Sequence, residues 1–463
     1  MEGQAVERRG GSVAPATAAW PGPRRSLRTL VVYGPGRDPL TFFGNLARTY
    51  GDFAHVHMAG EHVYLVNDPR VIRDILVTDQ RLFMKGRGLD RAKRLLGEGL
   101  LTSEGAVHVR QRRLMQPTFH RDRIASYATV MTEFADRACS RWSAGAAIDA
   151  AQDMARLTLG VVGKTLFDAD VESQAKEVGK ALAATMESFW ILMLPFPELI
   201  ERLPIPALRR SRAARETLDK IIYGMIAERR KSPRDRGDLL SMLLMAQDED
   251  EVEEVGGRGM TDLQVRDEAM TIFLAGHETT ANALAWTWYL LSQAPEVEAK
   301  LHEEIDRVLG GRLPTIGDIP SLPYVERVVT ESMRLYPPAW IIGRRALADY
   351  TVGDYLIPAR SIVVMSPYLV HRDARYFSDP ERFLPDRWTA EFKAWLQPFA
   401  YFPFGGGARR CIGESFAWME LVLVVSTIAQ RWRLRLVPGH TVVPQPVVTL
   451  RVKNGLKMTT HAR

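Results

Sequence analysis

The sequence has little cysteine and lacks long apolar runs. Cys139 and Cys411 are its two cysteines among 463 residues, too few for a disulfide framework or for a zinc site built on several thiolates. This favours a reducing, cytoplasmic setting. Residues 1–30 lack the apolar core of a signal peptide, and the chain has no span of about 20 apolar residues. We therefore predict a flexible leader over residues 1–30 and no transmembrane anchor.

A strong excess of one charge and a disorder-prone composition are also absent. Hydrophobic residues make up 46% and charged residues 25% of the chain, which is ordinary for globular proteins and predicts a folded, soluble chain. The net charge of +6 would suit an acidic protein, a nucleic acid or an anionic membrane surface. Because Lys and Arg are scattered and no recognition motif accompanies them, we predict that the partners do not include nucleic acid.

The spacing of apolar residues predicts mostly helices and a smaller β-rich part. Residues 38–50 have helical spacing, and two β-compatible runs flank Gly60-Glu61 as in a hairpin. Thr261-Asp262-Leu263-Gln264 is a capping-box pattern, which predicts the start of a long helix that ends near Gln293. Since we find no internal repeat and no linker, we predict a single domain over residues 31–463.

The most informative residue is Cys411. It follows a glycine-rich stretch that begins at Phe404 and stands directly before an apolar, helix-compatible segment, 414–430. Amides at a helix N-terminus and neighbouring cations stabilise a thiolate over a thiol, and glycines let backbone N–H groups approach a metal-bound sulfur. A thiolate of this kind pushes electron density into a haem iron and favours cleavage of the O–O bond.

Glycine-rich loops before helices also bind phosphates, so a nucleotide site is an alternative interpretation of this segment. It fits poorly, because no Lys-Ser/Thr follows the glycines and the G-x-G-x-x-G spacing is missing. Residues 404–413 instead match Phe-x-x-Gly-x-Arg-x-Cys-x-Gly at every fixed position. On this match the chain resembles the cytochrome P450 family.

The resemblance extends from about residue 30 to the end of the chain and implies the cytochrome P450 fold, mainly α with a smaller β-rich part. Haem b (iron protoporphyrin IX) would lie between the long helix and the Cys411 loop. The implied activity inserts one oxygen atom of O2 into a lipophilic small molecule, such as a fatty acid or terpenoid. Electrons would come from NAD(P)H through a separate ferredoxin and ferredoxin reductase, or a flavodoxin. A peroxide-driven haem-thiolate enzyme and a non-catalytic haem sensor stay open as alternatives.

A second element, residues 275–280, lies inside the long predicted helix and has the sequence Ala-Gly-His-Glu-Thr-Thr. Its glycine and threonine hydroxyls can loosen the backbone ladder, bend the helix and open a polar notch in an apolar wall. The resemblance implies that this notch is the oxygen-binding groove. It also implies that Glu278 and Thr279 are the acid–alcohol pair that guides protons to dioxygen. The candidate catalytic residues are Gly276, Glu278 and Thr279.

A third element places Glu331 and Arg334 one helical turn apart, where they can form a bidentate pair. Taken alone, this spacing is weak evidence, because such pairs are usually solvated. The family uses the pair with a downstream arginine to lock the haem-side core. Here Arg382 or Arg387 is the candidate third partner, and its expected role is structural.

The two haem propionates need cations or hydrogen-bond donors. The resemblance implies that Arg409 binds them, and that Arg345, His371 and Arg112 occupy the other usual positions. His108 stands where tryptophan is common in the family, four residues before Arg112 and on the same helix face. The candidate haem-binding residues are therefore Cys411, as the iron ligand, with Phe404, Gly405, Gly413, Arg409, Arg345, His371, His108 and Arg112.

The pocket segments that the resemblance implies are rich in apolar side chains and favour a lipophilic substrate over a charged metabolite. They are residues 87–101, 188–197, 273–275 and 339–342. Within them, the named pocket candidates are Phe273, Ala275, Ala339, Ile341 and Ile342.

Overall fold

The structure of the chain is a computed structural model, and it describes residues 19–23, 38–58, 60–168, 178–179, 181, 205–232, 234–245 and 259–463. Most of the predicted leader and the predicted pocket segment 188–197 lie outside these residues. The part of the leader that is described packs against the strands. Trp20 meets the rings of Phe53 and Tyr64 edge-on, and its indole N–H donates to the carbonyl of Leu356 at 2.8 Å.

Helices dominate the described part of the chain. In chain order they are α1 (Pro39–Tyr50), α2 (Pro69–Arg73), α3 (Arg87–Leu96), α4 (Gly105–Met115), α5 (Arg121–Ser140), α6 (Ala150–Phe167), α7 (Pro206–Lys231), α8 (Leu239–Met245), α9 (Asp262–Gln293), α10 (Pro295–Leu309), α11 (Pro323–Leu335), α12 (Pro367–Val370), α13 (Ala390–Trp395) and α14 (Glu414–Ala429).

The strands are short and form small sheets. They are β1 (Phe53–Met58), β2 (Glu61–Val66), β3 (Phe83–Lys85), β4 (Ala147–Asp149), β5 (Ile342–Ala346), β6 (Tyr350–Val352), β7 (Tyr355–Ile357), β8 (Ile362–Met365), β9 (Trp432–Leu436), β10 (Pro444–Pro446), β11 (Leu450–Val452) and β12 (Lys457–Ala462). The largest sheet has the order β1-β2-β8-β5-β3, and a second has the order β4-β12-β9. The pairs β6-β7 and β10-β11 are separate antiparallel ribbons. The predicted hairpin is confirmed as β1 and β2.

The long helix α9 is the centre of the helical part. Thr261 and Gln264 form the predicted capping box: the Thr261 hydroxyl accepts from the Gln264 amide at 3.2 Å, and the Gln264 side chain accepts from the Thr261 amide at 2.9 Å. Neighbouring helices cover α9 so fully that most of its residues are buried. The rings of Phe167 in α6 and Phe273 in α9 stack with centroids 4.1 Å apart. No helix in the described part of the chain is both long enough and apolar enough to cross a bilayer.

Candidate functional site

The loop before α14 has a backbone that depends on glycine. Gly405 and Gly407 have φ of 71° and 67°, in the left-handed region where other residues are strained. A Cβ atom on Gly407 would also overlap the carbonyl oxygen of Leu76. The turn closes where the Cys411 amide donates to the Phe404 carbonyl at 3.0 Å. With Gly413 as N-cap of α14, this fold presents the cysteine directly before a helix start, as predicted.

The Cys411 side chain is accessible, yet protein surrounds it closely. The residue is exposed, and burial raises the pKa of the thiol to about 11. The Gly413 amide and the Arg112 charge oppose that rise. A bound metal cation would deprotonate such a thiol. The Cys411 side chain therefore suits the role of a metal ligand.

A group of cations lies beside this loop. Lys85 of β3 stands directly opposite Arg344 of β5, and both side chains are buried. Burial lowers the pKa of Lys85 to about 7 and that of Arg344 to about 10, and repulsion from Arg409 adds to both shifts. The Lys85 ammonium donates to the carbonyls of Leu100 and Ser103 at 2.8 and 2.6 Å. These lowered pKa values mean that the positive charge here is not fully compensated.

Two sequence candidates belong to the same group. Arg409 pairs with Glu104, whose other oxygen accepts from the Lys85 amide at 2.6 Å. Burial lowers the pKa of His108 to about 3, and the charges of Lys85, Arg409, Arg112 and Arg344 lower it further. One turn along α4 from His108, the Arg112 guanidinium donates to the Arg410 carbonyl at 2.8 Å and feels the charge of Cys411. Helix α4 thus connects the cations with the thiol.

This arrangement fits the haem that the resemblance implies. The buried cations Lys85 and Arg344, with Arg409 beside them, suit an anionic partner, and two propionates would supply it. The accessible thiol supplies a soft ligand for iron. The residues present therefore match both ends of the group, its metal and its carboxylates.

Arg345 was our sequence candidate for a propionate contact, but the structure directs it elsewhere. Its guanidinium pairs with Glu61 at 3.2 Å, on the other face of β5 from Lys85. Successive side chains of a strand point to opposite faces, so the candidate is off by one residue. Arg344 is the arginine of this strand that joins the cations.

His371 does not join the cations either. Its ring is fully buried beside Tyr401 and Phe402. Its Nε2 atom accepts from the Phe402 amide at 2.9 Å, and its carbonyl accepts from Arg334 at 2.7 Å. The structure thus places His371 in the polar core around Glu331, where it joins two parts of the chain, rather than with the cations near Cys411.

That core is built around the Glu331 carboxylate. Arg334 donates to its two oxygens at 2.8 and 2.9 Å, and both side chains are completely buried. Arg387 donates at 3.0 Å and the Trp388 indole at 2.8 Å. Arg387 is therefore the third partner that the sequence left open. Arg382 contributes its carbonyl to Arg334, while its own side chain is 70% exposed.

One stripe of α9 is less buried than the rest of the helix, and we call it the open stripe. Ala275, Thr279 and Asn282 are half-buried, whereas most of the helix is buried. The carbonyls of Ala275 and Gly276 accept from the hydroxyls of Thr279 and Thr280, and the His277 carbonyl accepts from Thr158. Three successive carbonyls thus carry an extra hydroxyl partner, as predicted for a polar notch. The helix nevertheless continues as regular α-helix through this point.

The Glu278 side chain points away from this stripe and toward the β10-β11 ribbon. Its carboxylate accepts from the Arg451 guanidinium at 2.7 Å and from the Thr449 hydroxyl. Burial raises the pKa of Glu278, but these two partners and the neighbouring His277 outweigh it, so the net pKa is lowered. The carboxylate is therefore ionised and held at the β10-β11 ribbon, rather than aimed into the open stripe beside Thr279.

The substrate candidates divide into two sets. Ala275 lies on the open stripe, and Ile342 approaches the cysteine loop, because a Cβ on Gly405 would lie 3.7 Å from its Cδ1 atom. Phe273 is buried against Phe167, away from the stripe, which is a correction. Ile341 packs into the core between α1 and the largest sheet. Ala339 is half-buried in the turn before β5.

Four residues of the site carry no sequence signal that we could have used: Lys85, Arg344, Thr449 and Arg451. Lys85 lies in a three-residue strand. The other three residues are distant in sequence from the residues that they contact. Cross-strand register and the position of the β10-β11 ribbon were needed to find them.

The two neighbouring arginines of β5 allow a matched test. Replacing Arg344 by Gln removes a buried cation that would bind a haem carboxylate, so we expect haem to dissociate about 10- to 100-fold faster. Replacing Arg345 by Gln removes only the partner of Glu61 and leaves the rate near wild type. Haem transfer to an apoglobin measures both rates. A larger effect for Arg345→Gln would contradict this placement.

Comparison with known proteins gives matches along most of the chain. The family model described as "Cytochrome P450" matches residues 21–458. Cyclooctatin synthase of Streptomyces melanosporofaciens is 40% identical to the chain and covers 89% of each protein. Cyclooctat-9-en-7-ol 5-monooxygenase of the same species is 39% identical, over 88% of this chain and 87% of that one. Pentalenene oxygenase of Streptomyces avermitilis is 36% identical, over 92% and 94%.

The fold is matched as well. A crystal structure of the haem domain of cytochrome P450DA superposes with a TM-score of 0.86 at 29% sequence identity, covering 96% of this chain and 98% of that one. The predicted fold class is therefore confirmed.

Proposed function

The chain belongs to the cytochrome P450 family, and we propose that this monooxygenase hydroxylates a terpenoid. The family reaction consumes O2, two electrons and two protons, places one oxygen atom in a lipophilic substrate and releases the other as water. The observation that carries the assignment to this site is the accessible Cys411 thiol, which a glycine-dependent loop presents directly before α14 and beside a group of cations.

The cofactor is haem, and we propose that it is haem b. When bound, it supplies a thiolate-ligated iron that activates dioxygen. Cys411 would be the ligand, with Arg112 beside it on α4. We assign the propionates to Arg344, Lys85 and Arg409, with His108 as a neutral donor.

We assign proton transfer to a residue on the open stripe of α9. Thr279 presents a hydroxyl that donates its proton to the Ala275 carbonyl at 2.7 Å, which leaves its oxygen lone pairs to accept another. A hydroxyl can accept one proton while it donates another. Thr279 is therefore suited to relay protons. Gly276 allows α9 to pack closely against α6 beside this stripe, because a Cβ atom at this position would lie 3.2 Å from a Val162 methyl group.

Thr279→Ala should separate oxygen consumption from hydroxylation. We expect haem content and substrate binding near wild type, but about 10-fold less product per NAD(P)H, less than the loss of a full general acid because water can replace a hydroxyl. The missing product should be replaced by hydrogen peroxide, which is measured directly. Thr287→Ala, two turns away on the same helix, is the control and should remain coupled. Equal coupling in wild type and Thr279→Ala would remove Thr279 from the mechanism.

The three relatives narrow the substrate class. Two of them are named for cyclooctatin and cyclooctat-9-en-7-ol, and the third for pentalenene. Apolar residues near the stripe and the cysteine loop, such as Ala275 and Ile342, suit a hydrocarbon skeleton. We therefore favour a cyclic terpene or terpene alcohol over a fatty acid.

Spectral titration tests the substrate class. We expect cyclooctat-9-en-7-ol, pentalenene or a related cyclic terpenoid to displace water from the iron and change its spin state. Fatty acids of similar carbon number should bind at least about 10-fold more weakly, because about 1.4 kcal/mol of shape complementarity is enough for that factor. Tighter binding by the fatty acids would overturn the terpenoid assignment. It would leave the haem-thiolate assignment intact.

We propose that the electrons come from NAD(P)H through a separate ferredoxin and its reductase, or through a flavodoxin. A hollow of about 830 Å³ lies on the Cys411 side of α4, and its charged lining is mainly basic, with Arg112, Arg113 and Arg123. Such a surface suits an acidic electron donor. A cytoplasmic location agrees with such donors and with the two unpaired thiols.

A further inference from the structure

Three consecutive charged residues are buried near the start of α9. Arg266, Asp267 and Glu268 are 3%, 6% and 0% exposed, and Arg266 pairs with Asp267 at 2.8 Å and with Asp219 of α7. Buried charges are costly unless they are paired and hydrogen-bonded. Replacing a buried ion pair by apolar residues is often neutral or stabilising, so stability alone does not account for these residues. No step proposed above uses them.

The two acids bind the backbone of residues 97–104, which we call the α3-α4 loop. The Asp267 carboxylate accepts from the Glu98 amide at 2.8 Å. The Glu268 carboxyl accepts from the Leu100 amide at 2.9 Å. Neighbouring residues of α9 thus hold alternate residues of the loop.

Two glycines let this loop lie directly on α9. Gly97 has φ of 70°, and a Cβ atom there would overlap the Asp267 carboxylate. A Cβ atom on Gly99 would lie 2.3 Å from the Thr271 hydroxyl oxygen and 2.6 Å from the Asp267 carbonyl oxygen. Thr271 lies one helical turn before Ala275, on the same face of the helix. The loop therefore contacts α9 next to the open stripe.

The same loop binds the cations that we assign to the propionates. Leu100 uses both of its backbone groups, because its amide donates to Glu268 and its carbonyl accepts from the Lys85 ammonium at 2.8 Å. The Ser103 carbonyl accepts from Lys85 at 2.6 Å and from Arg409 at 3.3 Å. One short loop thus joins the open stripe to the cations, which are two separate parts of the proposed site.

The Glu268 carboxyl holds the loop as a neutral acceptor. Burial raises its pKa to about 8, and the charge of Asp267 adds to the rise, whereas the Leu100 amide and Lys85 oppose it. Its Oε2 atom accepts from Leu100, while its Oε1 atom has no hydrogen-bond partner among the described residues. The group is therefore mostly protonated at neutral pH. A glutamine has a similar shape and an equivalent acceptor oxygen.

We propose that Glu268 and Asp267 are positioning residues that determine substrate specificity. By fixing the backbone of the α3-α4 loop on α9, they set the space between the loop and the open stripe, and with it the size and orientation of the molecule that fits there. The inference rests on the proposed monooxygenase function. A terpenoid offers many C–H bonds and few polar groups, so the orientation that the surrounding protein imposes decides which carbon is oxidised.

The first test compares two azoles in the haem-loaded protein. Imidazole is a small iron ligand, whereas 4-phenylimidazole adds a ring that must fit beside the loop. Glu268→Leu leaves the buried Leu100 amide without its acceptor, so the loop should shift and change the ratio of the two dissociation constants about 10-fold. Glu268→Gln retains the acceptor and should keep the wild-type ratio. Spectral titration measures both constants, and the ratio does not depend on haem content because both ligands bind the same iron.

Glu304→Leu is the matched control. The buried Glu304 carboxylate also accepts from backbone amides, those of Tyr324 and Val325 at 2.9 Å, but it joins α10 to α11. This variant should lose stability while its azole ratio stays at the wild-type value. An unchanged ratio in Glu268→Leu, or an equal change in Glu304→Leu, would overturn the inference.

A second test moves the loop and leaves both acids in place. Gly99→Ala brings a methyl group against Thr271, so the loop cannot lie as closely on α9. Its azole ratio should differ from wild type, as in Glu268→Leu. Gly224→Ala in α7, where an added Cβ atom would meet no described atom within 4 Å, is the control and should match wild type. A wild-type ratio in Gly99→Ala would contradict the role of the loop position.

Hydrogen exchange tests the contact without an added ligand. Peptides that cover residues 97–104 should exchange faster in Glu268→Leu than in wild type, because the Leu100 amide loses its acceptor. Glu268→Gln should restore the protection. Equal exchange in all three proteins would overturn the assigned contact.

These outcomes separate the inference from the function on which it rests. If wild type binds haem through Cys411, but Glu268→Leu and Gly99→Ala keep its azole ratio, the positioning role is wrong and the monooxygenase assignment stands. If wild type binds no haem through Cys411, the proposed function itself fails, and the exchange measurement still reports on the Glu268 contact.

Discussion

Replacing Cys411 by Ala should abolish product formation. Mutation of a residue that merely supports a metal ligand costs about 10- to 100-fold, so loss of the ligand itself should cost more. The Cys411 loop is shaped around one side chain: the glycines bend it, the Phe404 carbonyl closes it, and Arg112 lies beside the thiol. The other cysteine, Cys139, is buried in α5 and offers no second thiolate ligand at this loop. Steady-state turnover and iron content measure the effect.

Cys139→Ala is the matched control. Burial raises the pKa of the Cys139 thiol to about 12, and the side chain packs with apolar residues of the main core. Its loss should therefore leave haem binding and turnover near wild type, with a small decrease in thermal stability. Turnover that survives in Cys411→Ala, or disappears in Cys139→Ala, would contradict the assignment of the ligand.

Glu331→Gln should prevent stable folding. The Glu331 carboxylate accepts from Arg334, Arg387, Trp388 and the Leu384 amide. Gln would leave two buried guanidinium groups without their anion. Removing one partner of a buried ion pair costs about 3–5 kcal/mol, a large part of the roughly 5–15 kcal/mol that stabilises a domain. We expect a strongly lowered thermal midpoint and little haem-loaded protein.

Glu326→Gln serves as the control for this change. It lies five residues earlier in α11, about half exposed, and its partner Lys393 is 3.4 Å away. Exposed pairs contribute about 0–1 kcal/mol, so this variant should fold and bind haem normally. If both glutamine variants had similar thermal midpoints, Glu331 would not be the anchor that the structure shows.

The parts of the site that are local in sequence could be predicted from it. The turn around Cys411 uses glycines at fixed spacing, the start of α9 is fixed by Thr261 and Gln264, and Glu331 and Arg334 are neighbours on one helix turn. In each case the residues that interact lie within one loop or one helix. Their geometry follows from the chain itself.

The parts that depend on strand register could not. Arg344 and Arg345 differ by one position, and that position decides which face of β5 each side chain takes. Lys85 joins the site only because β3 pairs with β5. Likewise Phe273 lies two positions from Ala275, but the helix turns it toward Phe167 and away from the open stripe.

Distant partners were the other source of error. The sequence position of His371 suggested a contact with a propionate, but its Nε2 atom accepts a hydrogen bond from the Phe402 amide. Glu278 was expected beside Thr279, and it is next to it in sequence. Thr449 and Arg451, which contact Glu278, are more than 170 residues away from it in the sequence. No local sequence pattern indicates these contacts.

The absorption spectrum of the reduced, carbon monoxide-bound protein tests the central claim most directly, because it reports whether a thiolate binds the haem iron. Thiolate ligation by Cys411 predicts a strongly red-shifted band in the wild-type protein and its absence in Cys411→Ala. A wild-type protein that is folded and loaded with haem but lacks the red-shifted band would contradict the account.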